Sequence, residues 1–313
     1  MMFSMTLAQV ILKSDTDLPE QIVKDHIAKQ LVFRADEDGV GYVENNRVTI
    51  LDRDGKKEKV IPVANADILL YYSRDGRLIT AKRNVFETSE DGKSEAFLGH
   101  VPVLFSQRDR FFFNHGVLSY LGNYEGICFQ DAPSSSSAIG VDAGGTTIGY
   151  LGHPIGSAPV LHIWRKLDSG WVQSPRTMTP HINEVGDLTV MPGRNDIIFL
   201  TADYVAFVGG PCGHFEPKAF GVWEKGLVDL KAFSREALPN PGTNFLIVVR
   251  LADGQTKAYC KFKYAHYGEG RGFGVNSLVP SCQDKHFYAL QDGSVVRFDT
   301  NQVLKTLGFL QNN

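Results

Sequence analysis

The side chains best suited to chemistry fall in two segments. His181 is followed by Asn183, Glu184 and Asp187, and Cys212 precedes the His-x-Glu pair His214 and Glu216. Imidazole titrates near neutrality and is the commonest transition-metal ligand, and neighbouring carboxylates supply acid–base groups or further ligands. Arg271 stands in the glycine-rich run YGEGRGFGV (267–275), where a guanidinium can meet an anion. His181, Asp187, His214, Glu216 and Arg271 are therefore the candidate ligand-binding residues. No HExxH motif or regular paired spacing accompanies them, so neither a metal nor a cofactor is assigned. No catalytic residue is singled out, because no G-x-S-x-G elbow is present and the isolated Ser, His and Asp residues cannot be paired without geometry. Cys128, Cys212, Cys260 and Cys282 are too dispersed for a zinc ribbon or a disulfide framework.

The stretch IGVDAGGTTIGYLG (139–152) resembles the first phosphate-binding hairpin of the actin-like sugar kinases and ATPases. That resemblance implies Asp142 as a metal-linked carboxylate and Gly144, Gly145 and Thr146 as a phosphate turn. VAFVGGP (205–211) would be the adenosine-side glycine pair. Read from its residues alone, the same stretch is a hairpin, two β-rich runs joined at a Gly-Gly turn.

These residues need a scaffold, and the rest of the chain describes one. Asp-Gly steps at 38, 54, 75, 91, 253 and 292 lie between apolar or β-branched runs, the strongest short-range hairpin signal. Such punctuation excludes an α/β protein, whose strands alternate with helices. The expectation is an all-β chain, a β-propeller of six or seven blades. It forms a single domain over 1–313, with blade-like units from about 32 to 310 at about 40–50 residues each. Radial closure protects the sheet edges that so many strands would otherwise expose. HIWRKLDSGWVQSP and FGVWEKGLVDLKAF share a pattern that places both on the outer two strands of equivalent units. A short helix is expected near 17–31: Asp17 caps, Pro19 sits in the first turn, Glu20 completes a capping box, and Ile22, Val23, Ile27 and Leu31 form a stripe.

A net charge of −3 gives no basic footprint for nucleic acid. No apolar run reaches the roughly 18–20 residues of a membrane span, and no basic residue precedes the first apolar run as a secretory signal requires. The expectation is a soluble, cytoplasmic protein with no membrane or nucleic-acid partner. With no motif that specifies a reaction, the favoured function is a non-enzymatic binding or scaffold module that engages a protein partner through one face. The alternatives are a metal-dependent propeller hydrolase or lactonase using the His-bearing segments, and a carbohydrate-binding propeller lectin stacking sugars on Trp164, Trp171 and Trp223. Oligomeric state is not legible.

Overall fold

The computed structural model of the chain describes residues 9–11, 20–24, 30–63, 69–73, 75–81, 84–88, 95–100, 104–105, 111–114, 117–120, 123–128, 136–152, 160–173, 188–189, 197–211, 223–224, 227–228, 244–262, 278–291 and 294–311. They are almost entirely strands. β1 (Gln9–Ile11) and β2 (Glu20–Lys24) come first. A four-stranded antiparallel unit follows, β3 (Gln30–Arg34), β4 (Gly39–Glu44), β5 (Arg47–Asp52) and β6 (Lys57–Pro62), and then a second, β7 (Leu69–Tyr72), β8 (Leu78–Ala81), β9 (Asn84–Thr88) and β10 (Glu95–His100). The third is β11 (Leu104–Phe105), β12 (Phe111–Asn114), β13 (Val117–Tyr120) and β14 (Asn123–Cys128). The fourth is β15 (Ser136–Val141), β16 (Thr147–Gly152), β17 (Val160–Leu167) and β18 (Gly170–Gln173).

After the short β19 (Leu188–Thr189), a fifth unit runs β20 (Ile197–Thr201), β21 (Tyr204–Pro211), β24 (Asn244–Arg250), β25 (Thr256–Phe262). The small hairpin β22 (Trp223–Glu224) and β23 (Leu227–Val228) joins its outer side through β1. The sixth unit is β26 (Leu278–Pro280), β27 (His286–Gln291) and β28 (Ser294–Asp299), and β2 is its fourth strand. Five pairs of first strands adjoin: β3 pairs in parallel with β7, and β11 lies beside β15, β15 beside β20, β20 beside β26, and β26 beside β3.

The hairpins form where Asp-Gly and Asn-Asn steps supply positive φ. Asn45 (φ 47°) and Asn46 (φ 57°) make the two-residue β4–β5 turn, flanked by the Glu44–Arg47 pair. Strands β3 and β4 are buried along almost their whole length, because their apolar runs are covered on both faces. Val32, Val43, Val48, Ile50, Ile61, Val63, Tyr72 and Leu78 fill the space between the first and second units. At Gly140 on β15 a Cβ would stand 2.6 Å from the Ile197 carbonyl oxygen on β20, so glycine there lets two first strands close up.

The described residues of the helix expected near 17–31 are extended instead. Glu20–Lys24 is a strand, and Gln30–Arg34 is another. A helix of that length is marginal in isolation. β28 offers a ready edge, on which Glu20, Gln21 and Ile22 align with Phe298, Arg297 and Val296, and that tertiary pairing overrides the capping signal. The helix described instead is α1 (Thr300–Thr306). Asp299 caps it by accepting from the Gln302 amide at 2.8 Å, and Gly308 (φ 68°) lets the chain turn back at its end.

Val303, Leu304, Leu307 and Phe309 carry α1 onto a core shared by the fifth and sixth units: Ile198, Leu200, Ala206, Leu246, Val248, Leu278, Phe287, Ala289, Val296 and Phe298. The Lys257 ammonium donates to the Gly308 carbonyl at 2.7 Å and lies 4.6 Å from the centre of the Phe309 ring, a cation placed at the negative end of the helix. Within this core Phe298 stacks on Phe287, with ring centres 5.0 Å apart. Phe298→Ala is expected to lower the unfolding free energy by about 3–5 kcal/mol, read as a fall in the urea midpoint at constant m-value.

Candidate functional site

His181, Asp187, His214, Glu216 and Arg271 all lie outside the described residues. The strands beside four of them are described. β19 pairs with the far end of β21, Leu188 opposite Pro211 and Thr189 opposite Gly210. The chain therefore enters β19 next to where it leaves β21, which sets the end of the segment that carries His181 and Asp187 beside the start of the one that carries His214 and Glu216.

At the opposite end of the sheets, four turns share one design. In antiparallel units the first-to-second and third-to-fourth connections emerge at the same end. At Asp52, Ser73, Asp142 and Ser281 the main-chain carbonyl accepts the amide three residues on: Gly55, Gly76, Gly145 and Asp284, at 3.1, 3.0, 3.1 and 3.3 Å. All four of those donors have positive φ, between 59° and 83°. The side-chain oxygen of the first residue then accepts a further amide: Lys56 at 2.8 Å, Arg77 at 3.1 Å, Thr146 at 2.7 Å and His286 at 3.2 Å. Each turn is closed twice, by its backbone and by a side chain that imitates backbone.

Asp142 is the most heavily engaged of these. Its Oδ1 accepts from the Thr146 and Thr147 amides, each at 2.7 Å, and its Oδ2 from the Thr146 hydroxyl at 3.0 Å. The resemblance to a phosphate hairpin is thereby accounted for: Asp142, Gly144, Gly145 and Thr146 form one copy of a recurring structural turn, and the carboxylate expected to reach a metal is taken up by its own loop. VAFVGGP is the central strand β21, between β20 and β24. Ala143 donates to the Asp284 carboxylate at 3.0 Å, tying the fourth unit's turn to the sixth's.

A second cluster, which sequence reasoning missed, lies where the first and sixth units meet. His286 opposite Asp299 and Tyr288 opposite Arg297 occupy one face of the β27–β28 ladder, while Phe287 and Phe298 occupy the other. The polar face meets the first unit's turns. Arg297 donates to the Arg53 carbonyl and stands 3.6 Å from the Asp54 carboxylate. His286 Nε2 is 4.0 Å from Asp38 Oδ2, outside direct hydrogen-bond reach. Burial holds the His286 imidazole below its ordinary pKa, with Arg297 and Arg53 acting the same way and Asp38 and Asp299 opposing. Burial, reinforced by Asp38, raises the Tyr288 phenol. The alternation of His286, Tyr288 and Leu290 with Phe287 and Ala289 is the signal that marks this segment as strand.

Among the described residues no three His, Cys, Asp or Glu side chains gather to hold a metal ion. Trp164 is buried and stacked against His162, with ring centres 5.8 Å apart, so its face is not open to a sugar. Trp171 is half-buried, and only the backbone of Trp223 is described, in β22. β17 and β18 are the outer strands of the fourth unit, as expected, whereas β22 and β23 sit beyond β25 across β1.

No known family matches the chain, and no curated protein does. Solved structures do. A gluconolactonase from Xanthomonas campestris superposes with a TM-score of 0.50 at 11% identity, over 94% of this chain and 99% of that one. Hydrazine synthase from Kuenenia stuttgartiensis gives 0.48 at 14% identity, over 95% of this chain and 81% of the other, and the Pan2 WD40 domain of Neurospora crassa gives 0.41 at 9%, over 93% and 97%. At these identities the likeness concerns fold alone: a mostly antiparallel β-chain whose neighbours are β-propeller-type proteins.

Removing the Asp142 carboxylate leaves the Thr146 and Thr147 amides without their acceptor. Asp142→Ala is expected to cost about 2 kcal/mol of stability by urea titration, and Asp142→Asn less, since one acceptor oxygen survives. Mg-ATP is expected to leave the melting temperature of the wild type unchanged.

Proposed function

We propose that the chain is a single six-bladed β-propeller domain, closed by β2, and that it acts as a non-enzymatic platform holding a protein partner on the end of the sheets that bears the doubly closed turns. The observation that carries this reading is an exposed apolar pair at that end. Leu167 and Val172, on the β17–β18 hairpin, are 54% and 44% exposed. Arg165 pairs with Val172 and Leu167 with Gly170, so Arg165, Leu167 and Val172 share one face of the hairpin. Leu167 sits beside the Asp142 turn, because the Lys166 amide donates to the Thr146 carbonyl at 2.8 Å. β18 is the outermost strand of its sheet, and the segment Gly170–Gln173 carries no charged residue to discourage pairing. Such a site suits an apolar side chain flanked by a carboxylate, presented on an extended segment of a partner. Pre-organised turns lower the entropy lost on binding.

A second reading, a metal-dependent propeller hydrolase or lactonase, draws support from the β19–β21 register, which sets the end of the segment bearing His181 and Asp187 beside the start of the segment bearing His214 and Glu216. Arg271 remains a candidate for an anionic group in either reading.

Leu167→Glu is the discriminating substitution. At a surface position it should change stability by no more than about 0.5 kcal/mol. A protein retained from cell extract by the wild type is expected to be lost with the variant while the melt is unchanged; retention by both would remove this face from consideration. Thermal melts with EDTA, Ca²⁺ and Zn²⁺ separate the second reading. A metal at about 100 times its dissociation constant stabilises by roughly 2.7 kcal/mol, and a shift abolished by His214→Ala would favour the hydrolase.

A further inference from the structure

The described residues contain four buried side-chain atoms without a hydrogen-bond partner in the protein: Asp38 Oδ1, His286 Nδ1, Tyr288 Oη and Thr300 Oγ1. The first three belong to the joint between the first and sixth units, and Thr300 opens α1 directly after it. Asp38 ends the turn before β4, His286 and Tyr288 share a face of β27, and Thr300 follows Asp299, the residue opposite His286. The Thr300 amide also donates to the Lys285 carbonyl, which fixes the start of α1 against the start of β27. Buried polar groups are nearly always paired in native proteins, and each one left unpaired forfeits its solvation. Three of them concentrated in one joint make its opening cheap relative to the apolar junctions, because opening hydrates them.

We propose that the joint between the first and sixth units is a pH-sensitive latch, closed while the His286 imidazole is neutral and released ahead of the rest of the fold when it takes up a proton. The charges facing His286 among the described residues are mixed. Asp38 comes from the first unit's β3–β4 turn, Arg53 from its β5–β6 turn, and Arg297 and Asp299 from β28. The one carboxylate nearest to the ring, Asp38, is held at 4.0 Å, and the side chains are only 13% and 20% exposed. An imidazolium in the closed joint therefore gains no direct hydrogen-bonded partner there and is poorly hydrated. In the open joint it is hydrated freely. The sign follows: the closed form binds its proton less readily than the open form, so the stability of the joint is complete above the ordinary histidine pKa and declines as the pH falls through it.

Hydrogen exchange of the full chain at about pH 7.5 and about pH 5.5, corrected for intrinsic rates, tests this across the range in which histidine titrates. Over this interval opening should rise by up to about tenfold, the limit that one proton sets between pH 5.5 and an ordinary histidine pKa of about 6.5. The rise is expected in peptides covering Glu20–Lys24 and His286–Asp299 and not in Val160–Gln173 of the fourth unit. His286→Gln should abolish the pH step, and Asp38→Asn should enlarge it by removing the one favourable neighbour in the first unit. A step that persists in His286→Gln, that spreads uniformly over all units, or that is absent from the wild type would overturn the proposal. Should His286→Gln fail to fold, an NMR titration of the wild-type imidazole decides: ionisation at or above about 6.5 would also overturn it.

Discussion

A strand edge must be paired or surrendered to water, and the sixth unit meets that constraint with the beginning of the chain. β2 lies along β28, and its pairing leaves β27 and β28 as interior strands between β26 and the N-terminal segment. Much else depends on this. Because side chains alternate along a strand, fixing the β27–β28 ladder in place commits each of its faces. Phe287, Ala289, Val296 and Phe298 go to the core shared with the fifth unit and α1, and His286, Tyr288, Arg297 and Asp299 go to the first unit. An apolar junction and a polar one are thus two sides of a single ladder.

The two junctions differ in physical character. On the apolar side, burial of aromatic and branched side chains is non-directional and tolerant of small displacements. On the polar side every group requires a partner in the right direction, and the joint supplies some of them but not all. Arg297 is satisfied by the Arg53 carbonyl and the Asp54 carboxylate, whereas the Tyr288 hydroxyl, with no exposed surface, has nothing to bond. The end-to-end joint is therefore the place where local opening and global stability separate most readily.

The turns are a second shared device. One side-chain oxygen at Asp52, Ser73, Asp142 or Ser281 substitutes for the backbone and locks a residue of positive φ three positions on. That economy explains how a hairpin in this fold came to resemble a phosphate loop: both need a carboxylate or hydroxyl, then glycine, then an amide. The chemistry differs because here the oxygen faces inward to its own amides. What is left outward on these rigid supports, such as Leu167 beside the Asp142 turn, is free to vary without disturbing the sheet beneath.

Local chemistry decided the parts of this protein that its sequence made legible. Asp-Gly steps with alternating apolar residues specify hairpins wherever they occur, as at Gly55, Gly76 and Gly254, each with positive φ, and a succession of such hairpins leaves few architectures other than stacked antiparallel units. The pattern of Trp164 and Trp171 placed β17 and β18 on the outside of their unit for the same local reason. Tertiary structure decided the rest. Asp17, Pro19 and Glu20 carry a sound helix-start signal, and it lost to an edge strand nearly three hundred residues away that no local rule could anticipate. Asp299 and Gly308 bracket a helix that only became worth forming above the apolar floor of the fifth and sixth units. The joint of Asp38, His286, Tyr288 and Arg297 was invisible for a similar reason. Its members are far apart in sequence and belong to no motif, and only the pairing of the chain's two ends brings them face to face.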